Sequence, residues 1–313
     1  MCGPIPISSA LRRALLSVLG ALCCLAACSP SKPADDAPPA DASADAAALP
    51  EAARARQQNY ADSLGEARQF IQRENLSAAA RIVDAGLRKT KEDGRDWELY
   101  YAEFQLLSAN LQRAAFAPLE SLRRYADAMA IFRVHDHSAG QFEVLLELAV
   151  LEEDRGDFAA AERQLDEAAT HLPRIDAPRL LARYDVCRGR VEAGRMNHAQ
   201  ALQHFAEADK RYAKAKEKLA QADTLFLAAS SHDAQTDTRR ARVALEKAAA
   251  LYGEENFAPG VVRATHRLAI LAERDKQYKK AKALLTKTRQ LYLELGKHSD
   301  AAKVEQHIHV LPE

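Results

Sequence analysis

The fold is decided by residues 142–173, FEVLLELAVLEEDRGDFAAAERQLDEAATHLP. Leu145, Leu148 and Ala149 recur at helical spacing before Gly156, and Phe158, Ala161, Leu165 and Ala168 do so after it. The spacing predicts two helices, A and B, joined by a turn at Gly156 and closed at Pro173. Ala149 and Ala161 are small, so the two helices can approach closely. The larger residues then fill the space beside that contact.

The same pattern repeats outward at a spacing of 40 residues. The small residue of helix A falls at Ala109, Ala149, Gly189, Ala229 and Ala269. The first small residue of helix B falls at Ser121, Ala161, Ala201, Ala241 and Ala281. A bulky residue follows four later, at Tyr125, Leu165, Phe205, Leu245 and Leu285. The next column is Ala128, Ala168, Ala208, Ala248 and Thr288. Ala, Gly and Ser make up somewhat over a quarter of the chain, so two wholly small columns of five rarely arise by chance. A shifted unit precedes these, with Ala67, Phe70, Leu76, Ala79 and Val83.

These units resemble tetratricopeptide repeats (TPRs), in the longer-helix form found in kinesin light chains; the standard repeat has about 34 residues. HEAT repeats share the length, but the Gly156-Asp157-Phe158 turn and the Ala-x3-bulky-x2-Ala pattern of helix B favour TPR. The resemblance implies an all-α, TPR-like superhelical array over residues 51–313. It should hold six helical hairpins and a capping helix near Ser299–Val310.

Composition agrees with helix. Alanine is about a fifth of the 313 residues and aromatics only 6%. Lys and Arg balance Asp and Glu at 44 each, which argues against nucleic acid as a partner. Beyond residue 28 the sole cysteine is Cys187, so no disulfide framework holds the body.

The N-terminal 27 residues read as an export signal. Arg12 and Arg13 precede the apolar run Ala14–Leu22, which is too short for a membrane span. The run ends in Leu25-Ala26-Ala27-Cys28, which resembles the lipobox of bacterial lipoproteins. The resemblance implies cleavage before Cys28, acylation of its thiol and anchorage to membrane lipid. Ser29, where an inner-membrane lipoprotein carries Asp, implies the outer membrane of a Gram-negative bacterium, facing the periplasm. Residues 28–50 then read as a tether, with five prolines and four aspartates between Ser29 and Pro50 and no apolar periodicity. Its reach is roughly 25 Å.

In TPR families helix A lines the concave groove. The resemblance places Leu106, Leu146, Val186, Phe226 and His266 there, three positions before the small residue. Six before it stand Glu103, Glu143, Arg183, Asp223 and Arg263, and one after it stand Asn110, Val150, Arg190, Ser230 and Ile270. The expected groove has an apolar stripe, acid in early units and arginine in later ones, suited to a peptide. The Lys/Asn set that clamps C-terminal carboxylates in chaperone-binding relatives is absent, as are the Tyr-Pro pairs of assembly-platform lipoproteins.

Little in the chain suggests catalysis or a cofactor. No P-loop, GxGxxG, GxSxG or HExxH occurs. His135-Asp136-His137 and His307-Ile308-His309 have ligand-like spacing but no companion cluster. Ser231, His232 and Asp233 are consecutive on one helix, about 100° apart, so they cannot form a catalytic relay. The expectation is a non-enzymatic, lipid-anchored scaffold whose groove holds another envelope protein. The alternatives are a small-ligand or enzymatic protein using the groove, and a structural oligomerisation spacer.

Overall fold

A computed structural model describes residues 50–312. The expected signal peptide, Cys28 and nearly all of the expected tether lie outside the described residues. Pro50 and the first turn of the first helix, residues 51–54, fall in a separate N-terminal unit; from Ala55 onward the chain forms one compact unit.

The described residues contain thirteen α-helices and no strand. Six hairpins pair α1 (Glu51–Gln72) with α2 (Leu76–Asp93), α3 (Glu98–Ala114) with α4 (Pro118–Val134), and α5 (Ser138–Asp154) with α6 (Phe158–Ala169). They continue with α7 (Pro178–Gly194) and α8 (His198–Ala215), α9 (Lys218–Ala234) and α10 (Thr238–Glu254), and α11 (Ala258–Arg274) and α12 (Tyr278–Glu294). The capping helix α13 (His298–Val310) starts one residue before its expected position.

From α3 onward every helix begins 20 residues after the last. The turns within and between hairpins are alike except after the shorter α6, where a 3-10 turn at Leu172–Arg174 fills the spacing. Most place one residue in the left-handed region, at Phe116, Asp136, Gly156, Met196, Lys216, Thr236, Asn256, Lys276 and Gly296. A residue there lets the chain reverse while the last carbonyls of the helix find amide partners. At Gly156 the next amide, of Asp157, donates to the Glu152 carbonyl at 2.9 Å. The Asp157 carboxylate then caps α6 by accepting from the Ala160 amide, also at 2.9 Å.

The repeat columns form the core. Tyr125, Leu165, Phe205, Leu245 and Leu285 are all buried, as are the facing small residues from Ala109 to Ala269. Gly189 shows why size is matched across the contact. A methyl group built on its α-carbon would lie 2.6 Å from the Phe205 ring. The largest bulky residue among units three to six thus meets the smallest partner. In the first unit the sequence reading needs correction at Leu76. It is partly exposed at the start of α2, while Leu64, Ala67 and Val83 carry that unit's core.

Consecutive A helices also touch one another, α3 with α5, α5 with α7 and α7 with α9. This layer lines the interior of the superhelix.

Candidate partner-binding interior

The interior contains a cavity of about 650 Å3 lined by α1, α3, α5, α7 and the segment from the end of α8 into α9. Its wall is mainly polar. Arg68 and Gln69 come from α1, Glu143 and Glu147 from α5, and Arg179 and Arg183 from α7.

The charges on this wall are paired between neighbouring units. Arg183 donates to Glu143 at 2.7 Å and also binds Glu147. Arg68 reaches Glu103 at 3.1 Å and Glu143 at 3.7 Å. Arg179 approaches Glu143 at 3.9 Å. Asn110 donates to Glu147 at 3.0 Å and accepts from the Tyr125 hydroxyl at 2.6 Å. Further along, Arg190 meets Glu153 at 2.8 Å and Arg267 meets Asp233 at 3.0 Å.

Burial alone would raise the Glu143 carboxyl, but Arg183, Arg68 and Arg179 together hold it below the usual carboxylate range. Burial opposes the charge of Arg183, yet Glu147 and Glu143 keep its guanidinium more firmly protonated than usual. Arg179 is the reverse case. Burial lowers its pKa, Glu143 opposes that, and Arg183 and Arg68 add to the lowering. Asp223 is half-exposed, accepts from the Tyr252 hydroxyl and lies 3.4 Å from Arg263.

The expected groove residues divide by column. Leu106 and Leu146 are fully buried in the central core and offer no surface to a ligand. Val186 is half-buried against the Ala182–Ala208–Tyr212 cluster, and Phe226 is half-buried between two core clusters. His266 is half-buried, and burial lowers its pKa. The apolar stripe is thus largely a packing column. It turns toward the neighbouring helices because the A helices stack side by side.

In the column six positions before the small residue, Glu143, Arg183 and Asp223 line the cavity, and the charges of the column are partners. Glu143 meets Arg183 and Asp223 meets Arg263, each pair 40 residues apart. Arg263 also binds Glu74 at 2.9 Å. Glu147, Arg68, Arg179 and Tyr212 escaped the sequence reading. A signal existed for Glu147, an acid lying 36 residues before Arg183.

The remaining candidates have structural settings. His135 pairs with Glu98 at 3.1 Å, and the His137 ring accepts from the Gly140 amide at 3.1 Å. His307 meets Glu273 at 2.9 Å. No group of three or more metal-ligating side chains occurs among the described residues. Asp233 is engaged by Arg267 and Arg274, next to the buried Ser231. Burial pushes the Cys187 thiol up to about 11, which suppresses its reactive thiolate. No helix of the described residues is long and apolar enough to cross a membrane.

Solved structures share this architecture. The fold is a TPR-like helical array. A signal-transduction ATPase with a TPR sensor from Pyrococcus horikoshii aligns at TM-score 0.62 and 13% identity, over 72% of this chain and 33% of that one. The chain thus spans a third of that ATPase's length. Aspartyl phosphate phosphatase F of Bacillus subtilis aligns at TM-score 0.58 and 11% identity, over 79% and 77%. A Rap protein complexed with competence and sporulation factor aligns at TM-score 0.52 and 13% identity, over 80% and 97%. No family model and no curated protein matches the chain.

Proposed function

We propose that the chain is a non-catalytic scaffold, anchored to the periplasmic face of the outer membrane through acylated Cys28, that holds a segment of another envelope protein in its interior. The observation that carries the scaffold reading is the cavity of about 650 Å3, walled by side chains from several successive units. A TPR-like Rap protein solved with competence and sporulation factor offers a parallel for a bound ligand. The exposed side chain of Gln69 stands beside the ion pairs and supplies hydrogen bonds to an extended backbone. The lipobox Leu25-Ala26-Ala27-Cys28 supports the anchor, and the Pro- and Asp-rich tether supports display away from the bilayer.

A photocrosslinking residue at Gln69 in intact cells tests both parts. The full chain should incorporate palmitate and capture one defined envelope protein. Cys28→Ala should abolish the palmitate label. Label persisting in that variant would sink the anchor, and capture equal to that from Val243, outside the cavity, would sink the interior site. A second reading, a small polar ligand in the same space, is favoured by the volume, since such sites run to about 300–1,000 Å3. It predicts no protein capture from Gln69.

A further inference from the structure

Two reciprocal ion pairs join parts of the chain that are far apart in sequence. Arg73 and Glu74 form the turn between α1 and α2. Arg73 meets the Glu255 carboxylate at 3.6 Å and donates to the Glu255 backbone carbonyl at 3.2 Å, across 182 residues. Glu74 accepts from Arg263 at 2.9 Å, across 189 residues. The first hairpin is thereby tied to the junction of the fifth and sixth units. Arg73 and Glu255 also line the interior cavity.

We propose that these two pairs form a salt-sensitive latch that closes the interior chamber and is released to admit its occupant. The proposal rests on the chamber being the partner site only for its biological use; the latch itself follows from the geometry.

The receiving side is built in advance. The Arg263 guanidinium lies over the rings of Tyr252 and Phe257 at 5.9 and 5.8 Å, and it reaches Asp223 at 3.4 Å. Glu255 is flanked by Lys218 at 3.9 Å. Glu74 stands at φ +59°, a left-handed position where a side chain is disfavoured. That backbone places Arg73 and Glu74 at the tip of the turn, each facing an opposite charge.

The latch is also weak by construction. The four side chains are between 31% and 48% exposed, so water and salt screen them. Glu143 and Glu147, deeper on the same wall, are buried. Between the joined parts lie several stacked units. In such arrays small rotations at each interface add up, so a slight opening per unit separates the ends widely. A weak contact at the rim therefore decides between closed and open without disturbing the core.

The test is crosslinking of the full chain carrying Glu74→Cys and Arg263→Cys by a short reducible bis-methanethiosulfonate, since an Arg–Glu ion pair does not by itself bring α-carbons within the span of a disulfide, with the linkage between positions 74 and 263 read by peptide mass spectrometry. Cys187 is buried, with its thiol pushed up to about 11, and does not compete; products at Cys2, Cys23, Cys24 or Cys28 are told apart by the same mass spectrometry. In low salt, with Arg73–Glu255 intact, the linkage should form quickly. It should slow about tenfold in about 1 M salt, where the screening length is about 3 Å. Arg73→Glu should slow it similarly in low salt, and Arg73→Glu with Glu255→Arg should restore it. Circular dichroism should report equal helicity throughout. A rate indifferent to salt and charge reversal, or no linkage in any condition, would overturn the latch. The crosslink should also block capture from Gln69, and its reduction should return it. Absent capture in both states with the salt dependence intact would count against the partner site and leave the latch standing.

Discussion

At the scale of single residues, the fit between Gly189 and Phe205 makes the packing rule quantitative. Gly189→Ala would drive a methyl to 2.6 Å from a ring that is itself fully buried. Overpacking of this kind costs about 1–3 kcal/mol. The better helix propensity of alanine offsets about 1 kcal/mol of that. The expected net loss is about 1 kcal/mol, measured by urea denaturation, and Phe205→Leu should recover it. Asp185 makes a different kind of prediction. Burial pushes its carboxyl up to about 6, against Arg211, which lowers it from 2.9 Å away. The folded chain then takes up a proton that the unfolded chain, with an ordinary Asp near about 3.9, does not. Stability from this group therefore falls as pH rises from about 4 to about 6. Asp185→Asn should remove that slope from a plot of melting temperature against pH.

At the scale of helices, the ion pairs between consecutive A helices act as spacers with a defined register. Glu143 on α5 gathers Arg183 and Arg179 from α7 and Arg68 from α1. Glu143→Gln would leave these arginines short of a buried partner, at a cost of about 3–5 kcal/mol. Because the Glu143 pKa is depressed in the folded state, its contribution is present above the ordinary glutamate range, near about 4.3, and is lost as pH falls through the folded value. The stability gap between Glu143→Gln and the parent, measured by denaturation, should therefore be full at neutral pH and shrink in acid. At this scale the sequence was only half legible. Period-40 columns revealed the hairpins because close helix packing demands small residues at fixed places. They did not reveal which side of helix A looks inward. Leu106 and Leu146 satisfy the helical spacing equally well whether they face a groove or a neighbouring helix. The charged column carried the better signal, since an acid in one unit and an arginine one period later predict each other. The left-handed turns were hidden for another reason. Phe116, Met196 and Lys276 occupy positions where glycine would have announced the turn, as Gly156 does.

At the scale of the molecule, the number of hairpins and the cap were readable because each unit must bury its face on the next. The closure between Arg73–Glu74 and Glu255–Arg263 was not, because it depends on curvature summed over intervening units rather than on any local pattern. One further consequence follows from the uniform 20-residue spacing of helix starts. From α3 to α12 inner and outer helices are alike in length and in turn, apart from the shorter α6 and the 3-10 turn Leu172–Arg174 behind it, and side chains are what mainly tell them apart. The array therefore has parity. Gain or loss of 40 residues preserves which helices face the interior. Gain or loss of 20 keeps every helix and every turn intact but exchanges inside for outside in all that follows, setting charge ladders against solvent-facing surfaces. Growth of this chain by duplication is thus confined to even steps.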